Sequence, residues 1–391
     1  MGELILHIGT TKTGSTALQQ FFLENREKLA EHGIDYPEFT KQPARSKRNG
    51  IFVRRYCSAK ARMIPPALLA NDVGENLRRL ATSLSAQQRT LISDEDFSLA
   101  PSWLTRPKQP NECYWNVVAR VLGEAHADRV TIVVYLRRQD DWIASYWRQA
   151  VKTGWRKIDL DTYCNSRETH ICTDYAAMLA SIDMVMQGRA NIVVRRYEQG
   201  AFEGGDIYHD FCFACGIPWD ERYELPKKDN NPSISFDIAE ALGFFAKVAP
   251  YGSPLRQDVL KPLARELSHN NPDPPRMTPF DEKETWQIME PYLEGNEQIA
   301  KKYLNGQPLF SEEYGERPIW VPNEDRIAEY RAVFKDAIEQ YYRQHGYPKR
   351  FDALLLSMPE EVQRPIKFAK NNLVRSWTYV RKKVMRMGHS R

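Results

Sequence analysis

Three groups of residues in this chain have the types and spacing to do chemistry. The first is Gly9-Thr10-Thr11-Lys12-Thr13-Gly14-Ser15-Thr16. Backbone N–H groups at the start of a helix, the hydroxyls of Ser15 and Thr16, and the ammonium of Lys12 all attract an oxyanion. Gly9, Gly14 and Thr16 satisfy the phosphate-loop pattern G-x-x-x-x-G-K-[ST], but Ser15 stands in the lysine slot and Lys12 comes three residues early. The second group is Asp94-Glu95-Asp96. Ionised neighbours on either side raise the proton affinity of the central carboxylate and suit it to act as a base. The third is Arg137-Arg138, with Ser145 eight residues after Arg137. Alone, such a pair is commonly solvated or salt-bridged.

These groups need elements to bring them together. Residues 4–8 form an apolar run stopped by Gly9, and Leu18, Phe21, Phe22 and Leu29 then recur at helical spacing. The first group therefore joins a strand to a helix that begins near Gly14 to Thr16. Gly33 stops that helical stretch, an extended piece follows, and a helix is expected over 67–85. Arg89–Ser93 reads as a second central strand running into the carboxylates, and 112–123 as a helix. Arg129–Leu136 is β-branched and apolar on both faces, as buried parallel strands are. Asn191–Glu198 is a further strand, with helices near 204–215, 283–303 and 323–345 and a helix capped by Ser233 or Ser235. In a parallel α/β sheet the carboxyl ends of the strands form the ligand edge, and all three groups sit at such ends. The expectation is an α/β, P-loop-like three-layer fold: a mostly parallel central sheet flanked by helices, with extra C-terminal helices. It assigns 1–350 to this domain and 351–391 to a basic amphipathic extension.

Lys12-Thr13-Gly14-Ser15-Thr16 after a strand resembles the 5′-phosphosulfate loop of sulfotransferases, which use 3′-phosphoadenosine-5′-phosphosulfate (PAPS) as donor. Arg137 and Ser145 resemble that family's 3′-phosphate pair, an arginine after an apolar strand and a serine eight residues on. Arg138 is the alternative if the register slips by one. The strand ending Tyr197-Glu198 and the stretch Asn231-Pro232-Ser233-Ile234-Ser235 also resemble carbohydrate sulfotransferases, with Lys227 or Lys228 as further phosphate ligands. The resemblance implies transfer of a sulfuryl group from PAPS to a carbohydrate hydroxyl, on a cell-surface polysaccharide, lipopolysaccharide or glycolipid. Lys12 would stabilise the departing phosphate oxygen, and Lys12, Thr13, Gly14, Ser15, Thr16, Arg137 and Ser145 would hold the nucleotide. Subfamilies use either a histidine or a glutamate as base. Glu95 is the first candidate and Glu38, soon after the first helix, the second. His7 reads as buried on its strand. The scheme requires no divalent metal, and no His/Cys/Asp spacing suggests one.

Composition sets the remaining bounds. At 391 residues, 42% hydrophobic and with net charge +4, the chain can build a full core and is too weakly basic overall to imply nucleic-acid binding. No apolar run approaches a membrane span, no signal-peptide pattern opens the chain, and the expected location is cytoplasmic. The six cysteines read as reduced thiols, with Cys212 and Cys215 packed in the core. Basic charge is local. Lys41–Arg62 holds eight Lys/Arg and no acid, reading either as a solvated loop or as a surface for an anionic acceptor. Arg364–Arg391 holds nine Lys/Arg and no acid around an apolar stripe. It packs on its own domain, lies peripherally on an anionic membrane surface such as the inner membrane, or binds a glycan. Trp286 and Trp320 are candidates for stacking on sugar rings, or for burial. Two rival functions are a P-loop kinase or NTPase, for which Leu91–Glu95 imitates a weak Walker B, and a noncatalytic nucleotide- or glycan-binding protein.

Overall fold

The computed structural model describes residues 2–39, 48–51, 53–54, 57, 72–85, 89–99, 112–125, 127, 129–155, 159–198, 200–226, 233–311 and 317–345. The expectations for Lys227 and Lys228, for 351–391 and for most of Lys41–Arg62 lie outside them.

The first half alternates strand and helix. It runs β1 (Glu3–His7), α1 (Ser15–Glu24), α2 (Arg26–Glu31), β2 (Ile34–Asp35), α3 (Asp72–Ser85), β3 (Arg89–Ser93), α4 (Glu112–Glu124) and β4 (Arg129–Leu136). Then come α5 (Gln139–Thr153), α6 (Leu160–Cys164), α7 (Arg167–Thr173), α8 (Tyr175–Met186), β5 (Ala190–Arg196) and α9 (Ile207–Ala214). The rest is helical: α10 (Phe236–Gly243), a π turn at Leu255–Leu260 running into α11 (Lys261–Asn270), α12 (Glu282–Met289), α13 (Leu293–Tyr303) and α14 (Glu324–Gln344). Among the described residues no helix is long and apolar enough to cross a membrane.

All five strands among the described residues are parallel, in the order β2-β3-β1-β4-β5. Because side chains alternate along a strand, the sheet buries both faces. Leu4, Leu6, Ile92, Ile132 and Val134 pack with Trp115 and Leu122 of α4 and Ile182 of α8. Ile5, Leu91, Val133 and Tyr135 point the other way, against Leu18, Phe21 and Phe22 of α1 and Phe211 of α9. The result is a three-layer α/β fold. A separate cluster joins Trp142 and Trp147 of α5 to Phe236 and Leu242 of α10 and Phe334 and Ile338 of α14, so the last helices extend the core.

The apolar spacing from Leu18 to Leu29 covers two helices. Asn25 ends α1, its backbone N–H and its side-chain amide both donating to the Phe21 carbonyl, at 3.0 and 2.9 Å. At ten residues α1 is too short to stand alone. Burial of Leu18, Phe21 and Phe22, at roughly 1.5–3 kcal/mol each, fixes its place far more firmly than any charge at its end. The chain leaves β1 toward β2 and leaves β4 toward β5, which opens a crevice between the carboxyl ends of β1 and β4.

Candidate functional site

Residues 9–14 form the mouth of that crevice. Ile8 N–H and Thr10 N–H donate to the Val133 and Tyr135 carbonyls at 3.0 and 3.2 Å, carrying the β1–β4 pairing one step beyond the strand. The Thr10 hydroxyl donates to Tyr135 O at 2.9 Å, and the buried Thr13 hydroxyl donates to Thr10 O. Thr13 thus braces the loop with its side chain and presents only its backbone outward. Ser15 is buried, Thr16 exposed and Lys12 half-buried. Ala17 N–H and Leu18 N–H turn back to the Gly14 carbonyl, no side chain caps α1, and its first turn holds no acid. The positive end of the helix dipole therefore acts undiminished on whatever lies against the loop.

Gly14 makes the turn possible. Its φ is 74°, and a Cβ there would lie 2.6 Å from Ile207 Cδ1 and 3.0 Å from Tyr197 Cε2. Gly14→Ala should lose roughly 1–2 kcal/mol to the left-handed backbone alone, and more to the clash, which a lowered urea midpoint would register. An unchanged midpoint would mean that the loop relaxes freely.

Arg137 leaves β4 directly opposite. Its guanidinium donates to the Lys12 carbonyl at 3.3 Å and lies 5.8 Å from the Tyr197 ring centroid. Arg138 instead makes a bidentate pair with Asp140, at 2.7 Å for both bonds. Of the two arginines, Arg137 is the one turned toward the loop. Beyond it opens a cavity of about 410 Å³, within the range of ligand pockets, to which Arg137, Arg148, Arg276, Arg317, Ser233 and Ser235 contribute. Two of these arginines are partly neutralised: Arg148 pairs with Asp273 at 3.2 Å, and Arg317 with Asp140 and Asp141. Ser145 is buried on α5, beside cavity-lining Ala144 and Arg148. Lys152, one turn past Arg148, is buried too. Burial, then the charges of Lys12, Arg265, Lys261 and Arg148, push its ammonium down to about 6. So many cations around one lysine describe a positive field at the Lys12 end of the crevice.

The carboxylates lie on the other side of β1. In the sheet His7 faces Ser93, and Asp94 N–H donates to His7 O at 3.1 Å, so the turn after β3 sits against the loop. A Cβ on Gly9 would meet Glu95 Cβ at 3.1 Å. Asp94 is fully buried between Arg48, at 3.2 Å, and Arg54, at 2.8 Å; Arg48 also reaches Asp96 at 2.8 Å and Glu95 Oε1 at 3.5 Å. Glu95 is different. Its Oε2 accepts from Gln19 Nε2 at 2.7 Å, and 14% of its side chain remains exposed. Burial pushes its carboxyl up to about 7; Asp94 and Asp96 add to the rise, while Arg48 and Gln19 oppose it. The flanking aspartates contribute as expected, but burial is the larger cause.

Other expected residues fall elsewhere. Glu38 is exposed and pairs with Arg26 at 3.3 Å. His7 is fully buried on β1. Ser235 holds the N-cap position of α10 without capping it; Asp273 accepts from Phe236 N–H there instead, at 3.2 Å. Cys212 and Cys215 are buried in the α9 core. Trp320 packs on Phe236 at 5.3 Å and donates to Asp237 at 2.8 Å, whereas Trp286 is exposed. Among the described residues no group of His, Cys, Asp and Glu could hold a metal ion.

No protein-family model matches the chain, and no solved structure matches it. An uncharacterized protein of Archaeoglobus fulgidus is 29% identical over 215 residues, 54% of this chain and 55% of that protein. The chain thus spans about half the length of the relative it matches.

Proposed function

We propose that this protein is a PAPS-dependent sulfotransferase acting on a carbohydrate hydroxyl, on a cell-surface polysaccharide, lipopolysaccharide or glycolipid. The observation that carries the reading is the junction at the crevice: a helix-start loop bearing Lys12 is joined through the Arg137 guanidinium to an arginine-lined cavity of about 410 Å³. Two anion-attracting stations in series suit a donor with a 5′-phosphosulfate and a separate 3′-phosphate. The sulfotransferase resemblance of the same residues supports that order, and it also supplies the carbohydrate class of acceptor.

In this scheme the acceptor oxygen attacks sulfur in line. Its proton passes to Glu95, the new O–S bond forms as the bond from sulfur to the bridging oxygen breaks, and the electron pair stays on the 5′-phosphate. Lys12 and the N-terminus of α1 stabilise that developing charge, and a site partly closed to water strengthens both interactions. A Glu95 carboxyl close to 7 is half ionised at neutral pH, where a base is most effective.

The geometry favours this reading over a kinase or NTPase. Asp94, the Walker-B-like aspartate, is enclosed by Arg48 and Arg54 and is poorly suited to a magnesium ion. The proton affinity of Glu95 argues against a noncatalytic binding protein. Titration calorimetry with the product nucleotide, 3′-phosphoadenosine-5′-phosphate, and with ATP plus Mg²⁺ tests the choice. The first should bind, and Arg137→Ala should weaken it by about tenfold or more, the worth of a charge-assisted hydrogen bond. Preference for ATP with Mg²⁺, joined to phosphoryl transfer, would overturn the reading.

A further inference from the structure

A second layer of residues stands behind Glu95. Gln19 is buried on α1, four residues after Ser15, and its side-chain Nε2 donates both to Glu95 Oε2 at 2.7 Å and to Ser93 Oγ at 3.2 Å. Those two acceptors use both hydrogens of the amide nitrogen, and the carboxylate requires the nitrogen rather than the oxygen to face it. Ser93 Oγ lies 2.8 Å from His7 Nδ1. Burial keeps that imidazole neutral by pushing it down to about 3. The chain His7–Ser93–Gln19–Glu95 therefore ties β1, β3 and α1 to a single carboxylate oxygen, while Glu95 Oε1 stays outside it, 3.5 Å from Arg48.

We infer that Gln19 is the positioning residue for Glu95: it holds Oε2, so that Oε1 is the oxygen presented to the acceptor proton. This deepens the reading of Glu95 as the base and rests on it for its catalytic meaning. The same helix that begins at Ser15 thus ends the anion loop at one turn and fixes the base at the next. The charged and titratable groups facing Glu95 are Asp94 and Asp96 on its own turn, Arg48 across from it, His7 from β1 and Tyr36 beyond β2. Gln19 is the neutral donor among them, and its hydrogen bond favours the ionised form.

The test reads Glu95 in two independent ways in the full-length protein. One is a carboxyl titration by ¹³C NMR with labelled glutamate, with the resonance assigned by its absence in Glu95→Gln. The other is the pH dependence of kcat/KM for transfer from PAPS. Gln19→Met keeps length and helix propensity but removes both donated bonds. Its Glu95 midpoint should rise by about one to two pH units, the equivalent of a hydrogen bond to a charged group, and the acid limb of the rate profile should move with it. Ser93→Ala removes only the anchor behind Gln19 and should give a smaller rise, which keeps the question answerable should Gln19→Met fail to fold. A midpoint unmoved in every variant that folds overturns the inference, and so does lost activity with an unshifted acid limb. Absence of transfer by the unaltered protein would instead sink the sulfotransferase reading, and the NMR titration would still decide whether Gln19 holds Glu95.

Discussion

Lys12→Ala is expected to reduce transfer from PAPS by at least about 10²–10³-fold, the usual consequence of removing one preorganised donor from a developing oxyanion. The structural cost should be small. Lys12 adopts φ 69°, a conformation that strains alanine as much as lysine, and the Arg137 contact is to its backbone carbonyl, which the substitution keeps. The loss should therefore fall on kcat, with a thermal midpoint near that of the unaltered protein. Lys12→Arg separates charge from position: it restores the cation but not the compact ammonium, and should recover binding better than turnover. A second readout lies in Lys152. Removing the cation at position 12 relieves repulsion on its ammonium, so its pKa should climb from about 6, though burial will hold it below an exposed lysine. Normal turnover by Lys12→Ala would contradict the mechanism.

The chemistry at strand ends is legible in the sequence because local rules govern it. An apolar run ended by Gly9, a helix start at Ser15 and a carboxylate after Ser93 each follow from residue type over a few positions, and parallel pairing then brings them to one edge. The balance at Glu95 is not local. Its neighbours Asp94 and Asp96 are visible in the sequence, but the burial that dominates its proton affinity comes from packing against Gly9 and α1. Gln19 gives a faint signal, a polar residue next to Leu18 and close to Phe21 and Phe22 on a helix that must bury that side. Arg148 gives another, since Asp141, Ala144 and Arg148 repeat at helical spacing and line the cavity together. Arg276 and Arg317 give none. They meet because Thr278 and Ile319 form an isolated bridge between segments far apart in sequence, a pairing that no short-range pattern announces.

Glu95→Gln should leave the fold intact while lowering kcat by about 10²–10⁴-fold, the range for loss of a general base. The substitution is nearly isosteric, but it puts an amide where Gln19 donates at 2.7 Å, and the new side chain can still accept that bond through its oxygen. What disappears is a group able to take a proton. Under the proposed mechanism the base of the unaltered protein must be ionised, so kcat/KM should rise with pH and level off above about 7, where the Glu95 carboxyl loses its proton. Glu95→Gln should have no such limb. Stability moves in the opposite sense. Folding raises this carboxyl from its ordinary value near 4.5 to about 7, so the folded state holds the proton more tightly than the unfolded chain. That contribution is fully present below about 4.5 and fades as pH climbs to about 7. The amide cannot ionise, so the fall in stability across this window should be shallower in Glu95→Gln, and the variant should be no less stable than the parent at pH 8. Chemical denaturation at several pH values measures the slope, and single-turnover rates measure the limb. If the limb survives in Glu95→Gln while the slope flattens, Glu95 titrates as described but another group removes the acceptor proton.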